Sequence, residues 1–208
     1  MNVYLLRPIP HGSNQLSFFL KHNRIAIGYP LQTDLRLISY SDIRQRLKAK
    51  GWEKGSGNVF RMLETFGVGD LVLVPDDNQR DVYFCQVKSD YDYDPKLDED
   101  KAGSGFPHYR HVEWFFNKTP INRSQLPDPL LKSLQFPGTS ADLTKHLDLI
   151  LPILGLSKDE TISDEDVLQA DRLQRLKSEA LDLIEKILNG EDRTEALKAA
   201  QIILSLKD

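Results

Sequence analysis

Apolar residues fall into short runs over roughly the first 126 positions and recur at three- and four-residue spacing beyond them, dividing the chain into a strand-rich part and a helical part. Residues 2–8 and 24–29 read as strands, with a short helix over 15–22 between them that Ser13-Asn14 can cap. Pro30 closes the second strand. Tyr40-Ser41-Asp42 starts a helix that runs to about Lys50 and stops at Gly51. Ser56 is placed to cap another, in which Val59, Phe60, Leu63 and Phe66 recur at helical spacing and face the core. The runs 71–74 and 82–88, joined by the polar residues 76–80, predict a β-hairpin. Residues 90–105 are acidic and loop-like, with Gly103-Ser104-Gly105 adding flexibility, and 109–116 form a further strand. A short helix is expected over 128–135, and Ser140-Ala141-Asp142 is placed to cap one running towards Leu151.

Beyond Gly155 the pattern is helical. Over residues 163–188, Val167, Leu173, Leu176, Ala180, Ile184 and Ile187 form one apolar stripe that Leu181 and Leu188 widen. Asn189-Gly190 and a last helix over 194–206 complete a helical hairpin. Two readings of it stand open: packing on its own barrel, or an arm for a homo-oligomer or a protein partner. The expected domains are residues 1–154 and 155–208.

Composition narrows the class. A hydrophobic content of 40% over 208 residues is enough for a real core. The single cysteine, Cys85, leaves no disulfide framework and no zinc knuckle, and predicts a reducing, cytoplasmic setting. No run approaches the roughly 20 apolar residues of a membrane helix, and the N-terminal apolar run is too short for a signal peptide, so no membrane partner is expected. The net charge of −4 argues against a uniformly basic coat, but the acids concentrate in 90–100 and the C-terminal segment, which leaves room for a local basic groove.

Three segments carry a resemblance: RIAIGY at residues 24–29, GNVFRMLETFGVGDLVLV at 57–74, and YRHVEW at 109–114. In that order they resemble the PUA-like barrels, particularly the EVE and YTH domains found with modification-dependent restriction systems. The match spans roughly the first 120 residues; the region between Leu31 and Gly57 and the acidic loop have no counterpart. The resemblance implies an α+β fold, a PUA-like (EVE-like) small β-barrel with surrounding helices, followed here by the C-terminal hairpin. It also implies a non-catalytic reader in a restriction or defence context that needs no cofactor. Its partner would be nucleic acid, DNA favoured over RNA, with a flipped and modified base held between aromatic rings.

Tyr29, Asn58 and Trp114 match the motifs, while Tyr91, Tyr93 and Tyr109 stand near the expected barrel mouth. Stacking contributes roughly 1–3 kcal/mol per base and suits any π-face. The Asn58 amide offers a base edge both donor and acceptor, or else bonds main-chain amides at a helix start. Tyr29 and Trp114 have core packing as the alternative. Alternation along 109–114 puts Arg110 with Val112 and Trp114 on one face and Tyr109 with His111 and Glu113 on the other. Arg110 then contacts a phosphate or base, or simply faces solvent.

Other chemistries fit less well. His108 and His111 are an odd number of residues apart and face opposite sides of a strand, which separates a tempting metal cluster with Glu113. Asp90, Asp92 and Asp94 have calcium-loop spacing, but Pro95 and Lys101 stand where glycine and glutamate are needed, so a solvated loop is expected. Pro75-Asp76 with Gln86-Val87-Lys88 resembles the PD-(D/E)XK nucleases, in which an acid holds magnesium. A turn near Asn78 would pair Gln86 close to Leu71 and leave Asp76 roughly 15 Å away, making Asp70 the nearer acid. A magnesium-dependent nuclease and an interaction module acting through the helical tail are the alternatives to a reader.

Overall fold

Every residue of Val3–Leu6 (β1) is buried, as is every residue of Leu71–Pro75 (β3), and these two strands run parallel with Val3 opposite Leu71. Strands apolar on both faces need cover on both sides, and the rest of the fold supplies it. The computed structural model describes residues 1–157 apart from residue 102, and within it Met1–Gly155 form one compact unit. In chain order its further elements are Leu16–His22 (α1), Arg24–Ile27 (β2), Tyr40–Ala49 (α2), Ser56–Phe60 (α3), Asp81–Val87 (β4), Asp92–Tyr93 (β5) and His108–Trp114 (β6). They continue through Ile121–Asn122 (β7), Asp128–Leu134 (α4), Ser140–Asp142 (β8) and Leu147–Leu154 (α5).

The strands form one curled, mixed sheet in the order β2-β6-β4-β3-β1-β8, with β5 added on β6 and β7 on β4. All pairs except β1–β3 are antiparallel. The end strands β2 and β8 are not neighbours in the ladder, so the architecture is α+β with a half-barrel. Inside the curl, Tyr4, Leu6, Val72, Val74, Cys85 and Val87 pack with Phe19 of α1, Ile43 and Leu47 of α2 and Val59 of α3. Val3, Leu5, Leu71, Leu73 and Phe84 alternate to the opposite face, the side left for buried Leu130 and Leu134 of α4 and Ile150 of α5.

The β3–β4 hairpin has the expected register, with Leu71 opposite Gln86. On β6, His108, Arg110, Val112 and Trp114 are buried while His111 and Glu113 are exposed. Three expectations need correction. Ser140-Ala141-Asp142 caps no helix: it is β8, antiparallel to β1 with Leu6 opposite Ser140, and the helix starts at Leu147. The main-chain groups along that edge of β1 need partners, and β8 supplies them, which outweighs the local capping preference. Ser56 is likewise no cap; Gly55 stands there, and α3 widens into a π-helical turn at Arg61–Thr65. The acidic loop is not simply solvated. Asp98 is buried and accepts from the Thr33 amide at 3.0 Å and the Tyr93 hydroxyl at 2.6 Å, while Asp94 pairs with Arg24 at 3.3 Å.

No described helix is long and apolar enough to cross a membrane. The expected helical hairpin over 163–188 and 194–206 lies outside the described residues.

Candidate functional site

Between the unpaired ends of the half-barrel lies a cleft of about 390 Å³, walled by Ile9-Pro10-His11-Gly12 after β1, Gly28-Tyr29 after β2, Trp52 after α2 and Thr139 before β8. Three rings meet in it. Trp52 stands edge-on to Tyr29, with centroids 6.2 Å apart, and edge-on to His11 at 5.7 Å.

Each ring is placed by a local feature of the sequence. Helix α2 ends through Gly51, whose φ of +74° is the left-handed conformation of a glycine helix stop, and the Trp52 amide donates back to the Leu47 carbonyl at 2.8 Å. Tyr29 itself has φ +72°, a conformation that is uncommon for a tyrosine, and it turns the chain out of β2. Its ring rests against the start of α3: a Cβ on Gly55 would come within about 2.2 Å of Tyr29 Cε1, so any other residue there would force the ring to move. His11 sits against Gly105, where φ is +80° and a Cβ would meet the imidazole at 2.7 Å. Asp100 fixes the outer edge of His11 through Nε2 at 2.9 Å and also reaches Lys50 at 3.5 Å.

A relay of polar side chains crosses from one end of the sheet to the other. Arg61 donates to the Ser140 hydroxyl at 2.5 Å, Ser140 donates to Asn58 Oδ1 at 2.7 Å, and Asn58 Nδ2 donates to the Tyr29 hydroxyl at 3.0 Å. Both halves of the Asn58 amide are therefore used inside the protein. Tyr29 receives a hydrogen bond on its oxygen and keeps its own proton, which has no acceptor among the described residues. A phenol held in this way has its proton left to donate.

Behind Tyr29, buried His108 has its pKa pushed down to about 4 by desolvation, against weaker pulls from the Tyr29 carbonyl, Asp98 and Asp34. Its Nε2 is 3.1 Å from the Tyr29 carbonyl, which can only accept, so the proton is on Nε2 and Nδ1 accepts from the Tyr91 hydroxyl at 2.7 Å. The imidazole thus holds the Tyr29 main chain in its left-handed turn.

Of the residues singled out in the sequence, Tyr29 and Asn58 meet at this cleft, one in the wall and one behind it. Tyr91 is buried between His108 and the Leu35 amide. Tyr93 stacks beside His108 with centroids 5.8 Å apart, and Tyr109 donates to Asp92 at 2.8 Å under the Arg24 guanidinium. Burial, helped by the neighbouring carboxylates, raises the pKa of Tyr93 and Tyr109. Arg110 is buried, and its donors take the carbonyls of Met62 at 2.9 Å, Leu63 at 2.9 Å and Ser89 at 3.1 Å. Trp114 lies at the other end of β6, roughly 20 Å along the strand from His108. It borders a separate cleft of about 430 Å³ with Asn23, Glu113, Asn117 and Lys118.

The residues of the nuclease alternative are engaged as follows. Asp70 is buried and accepts from the Asn2 amide at 2.6 Å and the Gly67 amide at 2.9 Å. Lys88 Nζ lies 2.7 Å from Gln86 Oε1 and 3.0 Å from Glu113. Among the described residues no three His, Cys, Asp or Glu side chains gather at metal-binding distance.

Sequence reasoning missed His11 and Trp52. Trp52 carried a signal, since it follows a helix stop and belongs to no apolar stripe. His11 carried none, because Gly105, far along the chain, makes its seat.

Residues 11–132 match the profile of a family described as "Domain of unknown function (DUF8426)", a span that holds all three rings and Asn58. No curated protein matches the chain.

Proposed function

The chain belongs to DUF8426, a family of unknown function, and from the geometry of its cleft we propose that it is a PUA-like, EVE-related reader that takes up a single nucleobase turned out of its stack. The observation that carries the reading is the convergence of His11, Tyr29 and Trp52 at the gap of the half-barrel, with the Tyr29 hydroxyl proton aimed by Asn58 and not spent inside the protein. At about 390 Å³ the cleft is at the small end of the roughly 300–1,000 Å³ range of ligand sites, a size for one planar ring system. Trp52 and His11 offer π-faces and edges for stacking, which is insensitive to base identity. The Tyr29 hydroxyl is the group that discriminates, because it demands an acceptor on the base edge. A modification read here would be recognised by how it fills the space between the Trp52 ring and Thr139. No step of bond making or breaking is part of the role.

The experiment is a titration of methylated and unmodified oligonucleotides, single- and double-stranded, against the wild type and Trp52→Ala at low salt. Binding of at least one oligonucleotide by the wild type, with a marked loss in the variant, supports the reading. If no oligonucleotide binds the wild type at low salt, the reading fails.

A further inference from the structure

A second cleft that shares Ile9 with the first brings together Arg7 after β1 and Arg123 after β7, and we propose that these two guanidiniums form a phosphodiester subsite beside the base cleft. The proposal rests on the base-reading role above. The second cleft holds about 280 Å³ and is walled by Arg7, Ile9, Pro75 and Arg123, with Asp76 and Asp77 also on its lining. Ile9 belongs to both clefts. Thr139, in the wall of the first, accepts from the Arg7 amide at 2.8 Å. A strand with one base among the rings therefore has its backbone beside the two arginines.

The charges at this place are incompletely answered from within the protein. Arg7 uses Nε and one NH₂ group to hold the carbonyls of Leu134 and Phe136, at the end of α4. Arg123 donates to the Asp76 carbonyl at 3.1 Å, and its Nε is buried with no partner among the described residues. Asp81 pairs with Arg80 at 3.0 Å. Asp76 takes neutral hydrogen bonds from Asn78 and keeps its charge, so with Asp77 it offsets part of the positive charge of the cleft and makes no ion pair with either arginine. Burial and the charge of Arg7 both lower the Arg123 pKa, and Asp76 and Asp81 only partly offset them. Two like-charged planar forks lining one cleft suit an anion with several acceptor oxygens, and phosphate matches the fork geometry.

The test is the salt dependence of binding, measured with whichever oligonucleotide the wild type holds most tightly. Each lost phosphate contact makes the slope of log K against log salt shallower by about 0.7–0.9. Arg123→Gln is expected to show that change, and Arg123→Lys to recover most of the slope because it keeps the charge. Thermal unfolding checks that the variants are folded. Gln79→Glu, at an exposed position lining the same cleft, adds a negative charge without disturbing the core. It is expected to weaken binding at low salt and to have no effect at high salt. If Arg123→Gln and Gln79→Glu leave affinity and slope unchanged while Trp52→Ala still weakens binding, the subsite is wrong and the base-reading role stands. If the wild type binds no oligonucleotide, both fall together.

Discussion

Asn58 and Tyr29 are joined by a hydrogen bond of 3.0 Å that, through Ser140, ties the two ends of an open sheet across the gap between them. The direction of this bond sets the chemistry of the cleft, since it leaves the Tyr29 proton to be offered outwards. Asn58→Asp reverses it: the carboxylate accepts from both Tyr29 and Ser140, the bridge survives and the donor is lost. Stability is expected to change by less than about 1 kcal/mol while oligonucleotide affinity drops. Asn58→Ala orphans both hydroxyls and is expected to cost about 1–2 kcal/mol in denaturant unfolding as well. Equal affinities for wild type and Asn58→Asp would remove Tyr29 as the discriminating donor.

Trp52 is half-buried, so its truncation separates binding from folding. Loss of one stacking face is worth roughly 1–3 kcal/mol, or about a 5- to 150-fold weaker Kd, for Trp52→Ala. The melting temperature is expected to move little, because the Trp52 main chain still closes α2 on the Leu47 carbonyl.

Gly55→Ala examines the seat of Tyr29 without touching the ring. Gly55 has φ −80° and ψ −11°, which alanine adopts freely, so the backbone gives no strain. The added methyl would sit within about 2.2 Å of Tyr29 Cε1, and the ring must move away from α3. A folded variant with displaced Tyr29 aromatic signals by NMR and weakened binding is the expected result. Unchanged spectra would mean that the ring does not rest there.

How far the sequence revealed this arrangement depended on whether the cause was local. Strand alternation along β6 and the hairpin register of Leu71 against Gln86 follow from residues adjacent in the chain, and they were legible. The capping chemistry of Ser140-Ala141-Asp142 was equally legible and misleading, because a β1 edge more than a hundred residues away claimed the segment. The site shows the same division. Tyr29 and Asn58 stood in the segments 24–29 and 57–74 already singled out in the sequence, whereas His11 owes its position to Gly105 and Asp100, contacts that no local pattern encodes.

Arg110 illustrates a charge whose work is internal. Its three carbonyl partners include Met62 and Leu63, in the π-helical turn after α3. Carbonyls at a helix end have no partner in the helix, and each left buried costs about 1–3 kcal/mol. Arg110→Leu is expected to lose at least about 3 kcal/mol of stability in denaturant unfolding, with unchanged affinity for the fraction that remains folded. Arg110→Lys is not expected to rescue it, because an ammonium lacks the fork that spans these carbonyls. A larger effect on the salt slope of binding than on stability would move Arg110 to the ligand surface.

Acid sensitivity follows from His108. Its ordinary pKa of 6.5 falls to about 4 in the fold, so above pH 6.5 both the folded and unfolded chains hold it neutral and it makes no pH-dependent contribution. Between 6.5 and about 4 the unfolded chain binds a proton that the folded one refuses, and stability declines as pH falls. The loss is about 1.4 kcal/mol per unit, or about 3 kcal/mol across the window, and it levels off below it. His146 is shifted in the same direction by burial and by Lys145, so the wild type alone would not isolate the effect. His108→Gln keeps a donor for the Tyr29 carbonyl and an acceptor for Tyr91 but does not titrate. The difference between wild-type and His108→Gln unfolding free energies, followed from neutral pH down to about 4, is expected to shrink by about 3 kcal/mol, because the other groups cancel. A difference that stays constant over that range would mean that His108 takes up its proton in the folded protein as readily as in the unfolded chain, and that burial does not hold it neutral.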